Sequence, residues 1–139
     1  MHTDDVPVAV VDRLDGICSA LPDAYQEEAW RGIRWRVRLR TFAHVLLVDE
    51  GWPPAYCAAV GSPGPHVVLT FRAPLDELMA MVASDDRFFR ARWGRDVGGL
   101  VLDEHVDWEE VRELLTESFC RLAPRKLSAL VDRPAGPGH

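Results

Sequence analysis

The chain has 139 residues with 47% hydrophobic and 27% charged content, which is typical of one globular domain with a single core. No apolar run approaches the roughly 20 residues of a membrane helix, so no membrane-spanning helix is predicted and no membrane partner is expected. The formal net charge of −6 argues against nucleic-acid binding through overall charge. The acidic start MHTDDVP is unlike a signal peptide and predicts a cytoplasmic location.

The first part of the chain predicts one helix and two strands. Apolar residues at helical spacing, ended by Pro22, indicate a helix over about residues 6–20. The segment AYQEEAW (24–30) is typical of a short, half-polar strand. Strict alternation in RWRVRLR then predicts a strand over about 33–39, apolar on one face as far as Leu39. The other face carries four arginines: Arg34, Arg36, Arg38 and Arg40.

The middle of the chain predicts a buried strand followed by a long loop. TFAHVLLVDE is apolar at both odd and even positions, which favours a central strand covered on both faces. The proline- and glycine-rich segment 50–65 is longer than most loops of compact domains and is therefore predicted to be functional. HVVLTFR (66–72) is a further strand, and Pro74 opens a helix to about residue 83.

The last part of the chain predicts an irregular basic segment (84–99), a strand GLVLDE and a C-terminal helix. Asp107 and Glu110 form a capping-box pattern that begins this helix, which ends near residue 122. We expect one domain over residues 1–132 and a flexible tail over 133–139. The fold class is α+β: a mostly antiparallel sheet packed by an N-terminal, a middle and a C-terminal helix.

No pattern in the chain predicts an enzyme, a cofactor or a metal. GxSxG, HExxH, P-loop and dinucleotide-binding motifs are absent from the sequence. The three cysteines form no CxxC pair, which favours neither a zinc site nor a disulfide framework. His44 lies on the buried strand and is interpreted as a core histidine. The run LDEHVD (102–107) is acidic, but neighbouring residues of an extended turn point apart and make a poor metal site.

The charges alternate along the chain in blocks. Residues 31–40 carry five arginines and no acid, and residues 87–97 and 121–139 are also net basic. Two interpretations remain open for the arginine strand. It is either the solvated side of a sheet or, if the basic blocks converge in space, a phosphate-binding surface on an acidic protein.

Four segments resemble the MmcQ/YjbR family in order and spacing: ICSALPDAYQEEAW, RWRVRLRTFAHVLL, FFRARWGRDVGGLVLD and DWEEVRELLTESFCRLAPRKL. The matching positions include Leu21-Pro22, Arg40-Thr41-Phe42-Ala43 and Ser118-Phe119. The resemblance covers about residues 10–130. Arg40 stands where the family has lysine, and Leu39 stands where it has glycine, so the turn before Arg40 is expected to differ.

The resemblance implies a double-wing α+β fold, a DNA-binding label and no catalytic residues. The leading hypothesis is therefore a DNA-binding protein that contacts phosphates of double-stranded DNA through the arginine strand. The residues predicted to bind are Arg34, Arg36, Arg38, Arg40, Arg90, Arg92, Arg125 and Lys126.

A second hypothesis is a non-enzymatic small-molecule binding protein. One family name comes from a protein of an antibiotic biosynthetic cluster, which implies natural-product binding or self-resistance for some members. The ligand would be planar, and its pocket would lie under the 50–65 loop. The predicted walls are Trp52, Tyr56, Phe89 and Trp93.

Overall fold

The fold is seen in a computed structural model that describes residues 6–131. Within these residues, six strands form one antiparallel sheet in the order β1-β2-β3-β4-β6-β5. The strands are β1 (Tyr25–Glu28), β2 (Ile33–Val37), β3 (Arg40–Val48), β4 (His66–Arg72), β5 (Phe88–Arg90) and β6 (Val97–Val101). The helices of this range are α1 (Val8–Cys18), α2 (Pro54–Val60), α3 (Leu75–Ser84), α4 (Trp108–Leu122) and α5 (Arg125–Ser128). The predicted tail, residues 133–139, lies outside the described residues.

The central strands bury side chains on both faces of the sheet. Val45 and Leu69 pack into the larger cluster with side chains of α1, α3 and α4, on what we call the helical face. Their neighbours in sequence, Leu46 and Val68, point to the opposite side of the sheet and pack against α2, on what we call the open face. The prediction that segment 41–50 forms a central strand covered on both sides is therefore confirmed, as is the α+β class.

Strand β2 is shorter than predicted, because the chain turns after Val37. Val37 pairs with Arg40, which leaves Arg38 and Leu39 as a two-residue hairpin turn. Both have positive φ, 50° and 67°, as a type I′ turn requires. Leu39 is 74% exposed and does not continue the apolar face. The predicted strand over 33–39 was therefore wrong at its end.

A β-bulge follows this hairpin on β3. Trp35 pairs with Ala43 but Arg36 with Thr41, so Phe42 is an extra residue on β3. Both Phe42 and Ala43 consequently join the core of the helical face, where the Phe42 ring meets Phe119 of α4 edge to face. The bulge therefore anchors the base of the hairpin to α4.

Two segments predicted to be irregular contain regular structure. The 50–65 connection contains α2, which begins after Pro53 and ends at Gly61 in the left-handed conformation. The basic segment 84–99 contains β5 and the start of β6, so the last strand begins at Val97 instead of residue 99. The C-terminal helix begins as predicted, because Asp107 accepts hydrogen bonds from the backbone N–H groups of Glu109 and Glu110.

Candidate functional site

The antiparallel register brings the three basic blocks to one end of the sheet. Strands β2, β4 and β5 finish at this end, and β3 and β6 begin there. The C-terminus of α4 lies there too, because Arg40 at the start of β3 donates to the carbonyl of Leu122 (3.4 Å). We call this region the basic end and define it by its exposed cations: Arg38, Arg40, Arg92, Arg95, Arg125 and Lys126.

Two carboxylates form ion pairs at the basic end, and the first turn of α3 adds Asp76 and Glu77 near it. Asp23 is 3.4 Å from Arg38, in an exposed pair of the kind that contributes little to stability. Asp96 is paired with Arg72 and Arg121, each at 3.2 Å. Burial raises the pKa of Asp96, but the hydrogen bonds and charges of these two arginines outweigh it and hold that pKa below its ordinary value.

Four further cations of the basic end have no such partner. Within residues 6–131, no carboxylate forms an ion pair with Arg92, Arg95, Arg125 or Lys126.

A group of acids lies at the opposite end of the sheet, which we call the acidic end. Asp49 and Glu50 follow β3, Asp85 precedes β5, and Asp103 and Glu104 follow β6. The first turn of α4 adds two more glutamates at this end. Charge is thus partly separated along the strand direction, with the cations that lack a carboxylate partner at the basic end.

The predicted row of four arginines on one strand face is not formed. Arg34 and Arg36 project from the open face of β2, and both contact the carboxylate of Glu27 on β1. Hydrogen bonding to Arg34 holds the pKa of Glu27 below its ordinary value. Arg38 belongs to the turn, and Arg40 extends toward α4 on the helical face. The turn after Val37 thus divides the four arginines into three environments.

The remaining predicted cations lie around the basic end. Arg90 is on the edge strand β5, where its Nη1 atom is 3.9 Å from the sulfur of Met79. Arg92 is exposed in the loop after β5, and Arg125 and Lys126 are exposed on α5. Arg95, which the sequence analysis did not select, lies exposed in the same loop as Arg92.

The aromatic residues predicted as a pocket separate into three positions. Tyr56 and Trp93 are in contact, with ring centroids 4.4 Å apart. Trp52 is exposed beside them and lines a neighbouring shallow depression. Phe89 is buried in the core between α2 and the sheet, against Gly99, and is not a pocket wall. The prediction that Phe89 is a pocket wall was therefore wrong.

A cleft of about 400 Å³ occupies the part of the open face that α2 leaves uncovered. We call it the aromatic cleft. Rings from three elements line it, since Trp30, Tyr56 and Trp93 come from the β1–β2 turn, α2 and the β5–β6 loop. His44 and Thr70 also line it, from the central strands, as do three charged residues: Arg34, Arg72 and Asp96.

His44 is a buried histidine with a fixed partner. Its Nε2 atom is 2.6 Å from the backbone carbonyl of Arg31, so Nε2 carries the proton and donates to this oxygen. Burial lowers the pKa of the imidazole; the hydrogen bond opposes this effect and the charge of Arg34 adds to it. His44 is therefore neutral at pH 7.

The lowered pKa of His44 predicts a stability change in mild acid. The unfolded chain binds a proton at His44 near pH 6.5, whereas the folded chain does so only at lower pH. The contribution of neutral His44 to the free energy of unfolding should therefore be fully present above about pH 6.5 and decrease as the pH falls below it. Urea unfolding between about pH 5 and 7.5 measures this.

The same pH series is expected to flatten in His44→Gln. His105→Gln is the control, because His105 is an exposed histidine. If His105→Gln flattens the pH dependence instead, or neither variant does, the assignment to His44 is wrong.

Comparison with known proteins gives the family of this chain. A family model for YjbR matches residues 19–121, which include every strand of the sheet and most of α4. The chain belongs to the YjbR family. The resemblance described from sequence is thereby confirmed, and the YjbR family is not a known enzyme family.

A solved structure shares the fold. DR2400 of Deinococcus radiodurans, described as having a DUF419 domain, superimposes with a TM-score of 0.63. The two sequences are 19% identical, and the superposition covers 93% of this chain and 94% of the DR2400 chain. No curated protein matches the sequence.

Two kinds of feature are absent from residues 6–131. No helix of this range is long and apolar enough to span a bilayer. Nor does this range place three or more histidine, cysteine, aspartate or glutamate side chains where they could hold a metal ion.

Proposed function

We propose that this YjbR protein is a cytoplasmic, non-enzymatic protein that binds double-stranded DNA through its basic end. The observation that carries the proposal is the common position of cations from three separate blocks. The sheet register brings two of the blocks to one end, and the hydrogen bond from Arg40 to Leu122 places the end of α4, which precedes the third block, there as well. Phosphate contacts are made by lysine and arginine and provide affinity independent of sequence. The proposed contacts are Arg38, Arg40, Arg92, Arg95, Arg125 and Lys126, with Arg90 at the flank.

The net charge of −6 does not oppose this proposal once the charges are placed in the fold. The basic end carries four exposed cations without a carboxylate partner, and the group of acids at the acidic end lies away from them, so we expect a duplex to be attracted to the basic end. Arg34 and Arg36 are left out of the proposed contact set, because Glu27 already neutralises part of their charge.

The hairpin tip supplies an apolar group among the cations. Leu39 stands between Arg38 and Arg40 and is 74% exposed. Its positive φ is unfavourable for a branched residue, so both exposure and backbone strain oppose a leucine at this position. Residues held in such conformations concentrate at functional sites. Proteins of the minor groove insert leucine and similar side chains between base steps, and we assign this role to Leu39.

Leu39→Gly tests this role, because stability and DNA affinity should change in opposite directions. Glycine relieves the strain of the turn, so we expect the free energy of unfolding to rise by about 1 kcal/mol. Duplex affinity should fall about tenfold, because glycine has no apolar side chain to insert. Urea unfolding measures the first effect, and fluorescence anisotropy of a labelled duplex at low salt measures the second.

Val8→Ala is the matched control, since Val8 is an aliphatic residue on α1 that is also 74% exposed. Its duplex affinity should equal that of the wild type. Absence of duplex binding by the wild type at low salt overturns the proposed function. Equal affinity of Leu39→Gly and wild type removes only the role of Leu39.

A further inference from the structure

The aromatic cleft leaves large rings in water although the core beside it is well packed. Trp30 is 64% exposed and Trp93 is 44% exposed, and both border a space of about 400 Å³. This volume lies within the usual range of small-molecule sites, roughly 300–1,000 Å³. Exposed apolar surface that rims a concave space marks binding sites on soluble proteins.

The rings of the cleft are arranged around Tyr56. Its centroid is 4.4 Å from that of Trp93 and 6.3 Å from that of Trp30, and the rings are inclined to each other. Tyr56 itself is buried, so a flat ring that enters the cleft displaces water from the two exposed tryptophan rings beside it. Ring pairs at such distances gain energy beyond simple area burial, which favours a planar ligand over an aliphatic one.

The polar atoms of the cleft favour a ligand that is negatively charged. Arg34 and Arg72 line the cleft, and Asp96 is the carboxylate that lines it with them. Asp96 is shared with Arg121, so its charge is already balanced by a residue outside the cleft. Burial raises the pKa of the Tyr56 phenol to about 12, so its hydroxyl remains protonated.

Both arginines of the cleft are accessible to a ligand. Each is half-buried, and the carboxylate partner leaves part of each guanidinium free to donate.

We propose that the aromatic cleft binds a planar aromatic anion of one or two fused rings. The rings stack within the space bounded by Trp30, Tyr56 and Trp93, and the anionic group accepts from Arg34 and Arg72. This site is separate from the Leu39 hairpin tip, and it differs from a pocket under the 50–65 loop because the central strands β3 and β4 form its floor.

Calorimetric titration with 2-naphthoate tests the charge preference, with 2-naphthamide and 2-naphthylmethylamine as neutral and cationic analogues. We expect saturable binding of the naphthoate and an affinity at least about tenfold weaker for the cationic amine. Arg72→Gln should bring naphthoate and naphthamide to similar affinities. Absence of saturable naphthoate binding, or equal binding of the amine, overturns the proposal.

Tryptophan variants locate the bound ring. Trp93→Ala should weaken naphthoate binding about tenfold, and Trp30→Ala gives an independent second test. The neighbouring depression shares Trp30, Tyr56 and Trp93 with the cleft, whereas Trp52 lines the depression alone. Trp52→Ala is therefore the matched control, since Trp52 is 52% exposed. An equal loss with Trp52→Ala assigns binding to that depression and overturns the cleft as the site. All three residues are exposed, so circular dichroism is expected to show folded variants.

Discussion

Replacing Arg92, Arg125 and Lys126 together by glutamine is expected to weaken duplex binding by several hundredfold at about 0.1 M salt. These three cations come from two basic blocks that are far apart in sequence, and all are exposed. Each phosphate contact releases condensed counterions from DNA, so log K falls with log salt by about 0.9 for every contact. Removing three contacts should therefore make the slope shallower by about 2 to 3.

The matched control for this triple variant removes three cations from other parts of the molecule. Arg13 stacks on Trp108, Arg87 pairs with Asp85, and Arg112 pairs with Glu109, all away from the basic end. Arg13→Gln, Arg87→Gln and Arg112→Gln together change the net charge by the same amount. Anisotropy titrations over a salt series compare the two variants with the wild type. If both triples alter the slope equally, the protein binds through its overall field and the basic end has no special role.

The arginine strand shows how far sequence reasoning reached. Strict alternation predicted β2 and its two faces, and Trp35 and Val37 are indeed buried. The alternation continues through Leu39, however, and no Asn-Gly or Asp-Gly pair signals a turn. Arg38 and Leu39 adopt positive φ against their own preference, because pairing of β2 with β3 and packing of Phe42 against α4 require it. Tertiary structure overrides local propensity at this turn.

The sequence did not predict whether the basic blocks converge in space; the phosphate-binding interpretation only required that they do. Each block was visible, but its place in the fold depends on which strand ends meet, and the sequence pattern does not contain the strand order. The swap puts β6 beside β4 and leaves β5 at the edge, and β5 runs toward the basic end, so the loop with Arg92 and Arg95 lies at the same end as Arg38. The same swap makes Phe89 a core residue, since it lies against Gly99 beneath α2.

The aromatic cleft was predicted only in part for a related reason. Tyr56 and Trp93 were predicted as pocket walls because they are large rings in segments that looked irregular, and both line the cleft. Thr70 and Arg72 belong to a strand whose sequence indicates burial, and nothing in that pattern shows which strand positions a neighbouring helix leaves open. Helix α2, hidden in a proline-rich segment, covers only part of the open face and so determines the extent of the cleft.

Ser118→Ala is expected to lower the free energy of unfolding by about 2–4 kcal/mol, although it removes a single oxygen atom. Ser118 of α4 is fully buried. Its hydroxyl donates to the carbonyl of Phe42 (2.6 Å) and accepts from the backbone N–H of Arg72 (2.8 Å). Ala43 pairs with Phe71, so Phe42 and Arg72 are the next residues along the β3–β4 ladder. The hydroxyl therefore bridges a backbone pair that the bulge has separated.

Loss of this hydroxyl leaves a buried carbonyl and a buried N–H without a partner at the point where α4 joins the sheet. Ser128→Ala is the matched control: Ser128 of α5 is half-buried and donates only to a carbonyl of its own helix (3.2 Å). Urea unfolding should show a large loss for Ser118→Ala and a change within about 0.5 kcal/mol for Ser128→Ala. A near-zero effect of Ser118→Ala would mean that β3 and β4 close to form the direct bond, and that the helix does not hold the bulge open. The large loss is expected because Phe42 is packed against Phe119, which prevents that closure.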